Sequence, residues 1–150
     1  METLYLSWSK VDEAIHAICE TIKKEYDFDV IVGVSRGGLV PSVRMSHILE
    51  DKKLILMGAK CYKGIGEREE RATITLSIKK EDVFGKKVLV VDDVADSGVT
   101  LVAVKEHIEK FSPKELKIAV LASKPMSAVK PDYSVFYTDK WIVFPWEREK

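Results

Sequence analysis

Near the middle of the chain, three carboxylates and two hydroxyls fall between positions 92 and 100: Asp92, Asp93, Asp96, Ser97 and Thr100. They directly follow the apolar run Val88-Leu89-Val90-Val91, which reads as a buried parallel strand, and in open α/β sheets the carboxyl end of such a strand is where ligands bind. Asp96, Ser97, Gly98 and Thr100 open the helix that follows. Free backbone N–H groups and the positive end of the helix dipole would therefore face an anion placed there, such as a phosphate monoester. Paired acids beside a phosphate would repel it unless they serve another purpose. Asp92 and Asp93 can accept hydrogen bonds from vicinal ribose hydroxyls and help hold a hard divalent cation. An ordinary N-capping turn is the other reading of two adjacent aspartates taken alone.

A second candidate is Ser35-Arg36-Gly37-Gly38, which follows another apolar run. Two glycines let the backbone approach an oxyanion closely, and Arg36 offers a fixed fork of donors. By itself the tetrapeptide reads first as a helix-entry turn with an exposed arginine, and only the acidic segment favours the oxyanion role.

Both segments need strands to carry them and helices to cover them. Short valine- and isoleucine-rich runs alternate with stretches whose apolar residues stand three and four apart, the pattern of α/β architecture. Ser9 with Asp12 resembles a capping box, followed by Val11, Ile15, Ile18 and Ile22 at helical spacing up to about Lys24. Strands are expected at Asp29 to Val34, Leu54 to Ala59, Lys87 to Val91, Lys117 to Ala122, Tyr133 to Tyr137 and Trp141 to Phe144. Helices are expected at about Val40 to Leu49 and Ser97 to Lys110, the latter with Val102, His107 and Phe111 among its inward positions. The glycine-bearing, densely charged stretch Lys63 to Arg71 reads as a long mobile loop or an exposed hairpin.

At 150 residues the chain suits one compact domain, able to bury roughly two-thirds of its unfolded surface. Its 24 basic and 24 acidic side chains cancel, which argues against coating nucleic acid or an anionic membrane, so phosphate binding must be local. Cys19 and Cys61 have neither disulfide-scaffold density nor zinc-site spacing and are expected to be reduced thiols. No run approaches the ~18 apolar residues of a membrane span, and Met1 to Ser9 lacks the order of a signal peptide. A cytoplasmic protein is expected.

The segment from Val88 to Thr100 resembles the phosphoribosyl pyrophosphate signature of type I phosphoribosyltransferases: four apolar residues, two acids, a short spacer, then an Asp-rich turn with Gly and Thr. The similarity extends through Trp8, Val34-Ser35-Arg36-Gly37-Gly38-Leu39-Val40-Pro41, Lys124-Pro125, Asp132-Tyr133, Asp139-Lys140-Trp141-Ile142 and Pro145-Trp146-Glu147. It runs most closely to the short xanthine-guanine type of purine phosphoribosyltransferase.

This resemblance implies a three-layer α/β fold, a mostly parallel central sheet flanked by helices with a small hood built from the chain ends. Residues 1–150 would form one domain, with a flexible loop at about 62–75 and a C-terminal hood at about 124–150. The reaction implied is transfer of ribose 5-phosphate from phosphoribosyl pyrophosphate to N9 of guanine, xanthine or hypoxanthine. A non-catalytic nucleotide-binding regulator, or a transferase for another base, is the alternative.

Carried over by position, the donor and its phosphates fall to Ser35, Arg36, Gly37, Gly38, Arg68, Asp92, Asp93, Val94, Ala95, Asp96, Ser97, Gly98, Val99 and Thr100, with Arg71 the alternative to Arg68. The purine falls to Asp96, Lys124, Trp141 and Ile142, where Lys124 donates to O6 and Trp141 stacks on the ring. Asp96 is the catalytic candidate, as general base or as stabiliser of positive charge. Magnesium is the implied cofactor, at Asp93 with Asp92 and Glu147 as further ligands. Glu147 stands one carbon longer than the family's usual aspartate, and Cys61-Tyr62 stands where the family often has Ser-Tyr. Relatives are homodimers or homotetramers, and C-terminal aromatics such as Phe144 and Trp146 could instead cover a subunit interface.

Overall fold

The computed structural model describes residues 2–66 and 70–148. Among them, six strands form one sheet in the order β4-β3-β2-β5-β6-β7. These are β2 (Val30–Ser35), β3 (Lys53–Tyr62), β4 (Arg71–Leu76), β5 (Lys87–Ala95), β6 (Glu115–Ser123) and β7 (Phe136–Tyr137). Every pairing is parallel except the β3–β4 hairpin. The remaining strands, β1 (Thr3–Tyr5) and β8 (Trp141–Val143), pair in parallel as a separate ribbon that joins the two ends of the chain.

The valine-rich strands are apolar on both faces because both faces are covered. On β5, Val88 and Val90 join one core cluster with Leu101, Val104 and Ile108 of α4 (Val99–Glu109). Leu89 and Val91 alternate into the other, with Ile15, Ile18 and Ile22 of α1 (Trp8–Glu25) and Met45 of α2 (Leu39–Ile48). A short helix, α3 (Lys80–Val83), leads into β5. A three-layer α/β arrangement results, as expected.

Several local expectations are corrected. The cap of α1 is Ser7, whose hydroxyl accepts from the Lys10 amide at 3.1 Å, while Ser9 lies inside the first turn. On α4 the inward residues are Leu101, Val104 and Ile108; Val102, His107 and Phe111 are only half-buried. That helix begins two residues later than expected, because residues 96–98 form a turn. Tyr133 makes one isolated bridge to Ala119, leaving only Phe136–Tyr137 of the expected strand. Of the two readings of Lys63 to Arg71, the hairpin is the one the described residues match: β3 ends at Tyr62 and pairs antiparallel with a return strand that begins at Arg71.

Sheet order reverses direction between β2 and β5: β3 lies outward of β2, and β6 outward of β5. Loops leaving the carboxyl ends of these neighbours run to opposite faces and open a crevice between them. Ser35-Arg36-Gly37-Gly38 leaves β2 and Asp92 to Thr100 ends β5, so the two candidate segments meet there.

Candidate active site

Strand β5 extends past the apolar run and carries the acidic pair with it. Asp92 is buried and accepts from the Asp93 amide at 2.8 Å; Asp93 accepts from the Val94 amide at 2.7 Å. Burial, reinforced by the charge of Asp93 next to it, pushes the Asp92 carboxyl well above the ordinary carboxylate range. Burial also raises Asp93, with the carboxylate of Glu147 adding to the effect. Two acids held this way disfavour their own charges, and a cation placed between them would relieve both.

The turn beyond β5 is built around Gly98, whose φ of +86° belongs to the left-handed region. A β-carbon there would also stand 2.7 Å from the Ala128 amide nitrogen. That amide donates to the Ser97 carbonyl at 2.8 Å and fixes the turn against the segment after β6. The turn and the first residues of α4 border a cavity of about 320 Å³, whose lining includes Asp93, Asp96, Ser97 and Thr100; the Val99 amide donates to the Ser97 hydroxyl oxygen at 3.4 Å. Two lining residues that the sequence did not single out for this cradle, Cys61 and Glu70, come from the hairpin. Nothing local in the sequence brings a hairpin residue to a helix start some thirty positions later; only the β3–β4 pairing does.

On the β2 side, the Ser35–Arg36 peptide bond is cis, and the Gly38 amide returns to the Val34 carbonyl at 2.8 Å. Arg36 and Gly37 line a second cavity of about 520 Å³ with Asp93, Trp146 and Glu147. Trp146 therefore faces the crevice; it stacks on Phe144 at 4.8 Å and meets Trp8 at 5.9 Å. Glu147 is held by accepting from the Phe144 amide at 2.9 Å.

Lys124 links the sheet to the chain-end ribbon. Its amide donates to the Ala95 carbonyl at 2.9 Å, which sets it beside Asp96. Its buried ammonium donates to the carbonyls of Lys140 and Asp139, immediately before Trp141. Of its three protons, these take two, leaving a donor for something else. Trp141 is 55% exposed while Ile142 is buried, so a half-exposed indole follows directly on the carbonyls that hold the ammonium. Arg68 lies outside the described residues; Arg71 pairs with Tyr62 in the hairpin ladder.

A crevice at the carboxyl ends of β2 and β5, a glycine-built turn at a helix start, a buried acid pair and a half-exposed tryptophan thus meet at one end of an α/β sheet. The chain belongs to the phosphoribosyl transferase domain family, which matches residues 5–149. It is 30% identical over 146 residues to a xanthine-guanine phosphoribosyltransferase of Chromohalobacter salexigens, covering 95% of this chain and 82% of that protein. With the protein of that name from Idiomarina loihiensis it shares 28% identity over 145 residues, covering 95% and 86%. The crystal structure of a purine phosphoribosyltransferase from Pyrococcus horikoshii matches with a TM-score of 0.90 at 50% identity, covering 100% of this chain and 97% of that one.

Proposed function

We propose that this protein transfers the 5-phosphoribosyl group of phosphoribosyl pyrophosphate to N9 of a 6-oxopurine, releasing pyrophosphate and a nucleoside 5′-monophosphate. The observation that carries the base class is Lys124: a buried ammonium beside Trp141 offers a donor to a carbonyl oxygen at purine position 6 and none of the acceptors that an amino group would need. Relatives named for xanthine and guanine support the same reading. A non-catalytic regulator is not favoured, because the acids and the base platform are both present.

In this reading the 5′-phosphate rests on the amides and hydroxyls of residues 96–100, and the ribose hydroxyls donate to Asp92 and Asp93. Arg36 takes up charge on the departing pyrophosphate. The C1′–oxygen bond to pyrophosphate breaks, the N9–C1′ bond forms, and the proton that the imidazole ring loses passes to Asp96. Trp141 holds the ring plane while Lys124 fixes its rotation, and this positioning supplies much of the rate.

The hard oxygen donors of Asp93 and Glu147, which line one cavity, suit magnesium, and two carboxylates would leave most of its shell to substrate oxygens and water, with Asp92 behind Asp93. When bound, magnesium supplies positive charge against the leaving group. The free thiols of Cys19 and Cys61 support a cytoplasmic setting, and exposed Val43, Leu56 and Leu76 support a homodimer or homotetramer.

Phosphorus NMR tests the reaction. With guanine, magnesium and the donor, pyrophosphate and nucleotide signals should rise together in equal amounts. Pyrophosphate without nucleotide, or neither signal with guanine, xanthine and hypoxanthine each in turn, would remove this assignment.

A further inference from the structure

The phosphate cradle already contains an anion. Glu70, at the start of the hairpin's return segment, accepts a hydrogen bond from the Ser97 hydroxyl at 2.8 Å through Oε2, and the Cys61 thiol reaches the same oxygen at 3.5 Å. Ser97 is the one hydroxyl between Asp96 and Gly98, at the centre of the turn that opens α4. The described lining of this cavity includes four carboxylates, Glu70, Asp92, Asp93 and Asp96, and neither lysine nor arginine. A phosphate here is thus held by amides, hydroxyls and the helix dipole. Against so few charges, one further carboxylate weighs heavily.

We propose that Glu70 is an internal competitor for the 5′-phosphate: its carboxylate takes the Ser97 donor that a phosphate oxygen needs, so each phosphorylated ligand must displace it. Like charge adds to this competition, since a dianion and a carboxylate cannot share one hydroxyl proton. The consequence is a lowered affinity for both donor and product nucleotide at that end of the molecule. Release of product is correspondingly faster. Glu70 is exposed and belongs to the hairpin, so it can leave the cradle without disturbing the core. This inference rests on the phosphoribosyltransferase reading, which assigns the 5′-phosphate to residues 96–100.

The test is calorimetric titration of the full-length protein and its Glu70→Gln and Glu70→Ala variants with guanosine 5′-monophosphate and, separately, with inorganic pyrophosphate. Guanosine monophosphate should bind the alanine variant about three- to tenfold more tightly, the value of one recovered hydrogen bond, and the glutamine variant, whose amide oxygen still accepts from Ser97 but carries no charge, more tightly than wild type by a smaller factor. Pyrophosphate, taken on the Arg36 side, should bind all three alike. Unchanged or weaker nucleotide binding in the variants would overturn the proposal, as would equal tightening for pyrophosphate, which would mark a diffuse charge effect. Failure of the wild-type protein to bind either ligand would instead overturn the transferase reading itself.

Discussion

The carboxylate of Asp93 occupies the space where a side chain on residue 37 would stand, so that a β-carbon on Gly37 would collide with it. The loop after β2 and the acid pair on β5 thereby touch at a position where any β-carbon would have to displace the Asp93 carboxylate. Arg36 and Asp93, from the two halves of the sheet, line one cavity as a result.

Gly37→Ala should therefore separate the two loops while leaving the core intact. A displacement of about 1 Å in a positioning element costs on the order of 10²-fold in rate. Steady-state kinetics should show kcat/KM for phosphoribosyl pyrophosphate falling by about that factor, with a small change in Tm. Retained kcat/KM would mean that the loops are not coupled through this contact.

Asp92 makes a prediction about stability. Its folded carboxyl is raised by burial and by Asp93, so the folded state holds the proton over a range where the unfolded chain, near 3.8, has released it. Stability from this group is full below the unfolded value and is lost as pH rises through the folded one. Asp92→Asn, similar in shape and uncharged, should melt a few degrees above wild type at pH 7–8, with the difference closing below pH 4. It should also use the ribose-phosphate donor poorly. Thermal melts across pH 4–8 check the first effect and donor KM the second.

Lys124→Met leaves the Lys140 and Asp139 carbonyls without their buried partner, at a cost of about 1–3 kcal/mol. Both Tm and kcat/KM for the base should drop. Trp141→Ala should differ: the indole is half-exposed, so Tm should change little, while KM for the base rises by roughly 10- to 100-fold from lost stacking. Equal Tm losses in the two variants would contradict the division of labour.

Asp96→Asn separates base catalysis from binding. If Asp96 takes the imidazole proton, kcat should fall by about 10²- to 10⁴-fold, and donor KM should stay near wild type. An undiminished kcat would remove the proton-accepting role.

The parts of this site that follow from periodicity and local chemistry were legible in the sequence. A valine-rich run ending in Asp92-Asp93 reads as a buried strand delivering acids to its carboxyl end, as β5 does. The pairing of Lys124 with the carbonyls before Trp141, and of Glu70 with Ser97, was not legible. Both join residues distant in sequence through the sheet order, which no local pattern encodes. Phase errors on α4 had a simpler origin: Val102, His107 and Phe111 are apolar or amphipathic enough to be buried, but residues 96–98 belong to the turn, and starting the helix at Val99 selects Leu101, Val104 and Ile108. Ser9 with Asp12 has capping-box spacing, but it is the extended backbone of Ser7 that frees a hydroxyl to accept at the start of α1.

The most direct measurement is kcat/KM with magnesium and phosphoribosyl pyrophosphate for guanine, xanthine, hypoxanthine, adenine and orotate, each offered alone. At least one 6-oxopurine should be converted to its 5′-monophosphate, and adenine and orotate should lag the best of them by two orders of magnitude or more, on the order expected when a buried donor meets the wrong partner. Adenine or orotate used as well as the best 6-oxopurine, or no base used by a protein that binds the donor, would contradict the assignment.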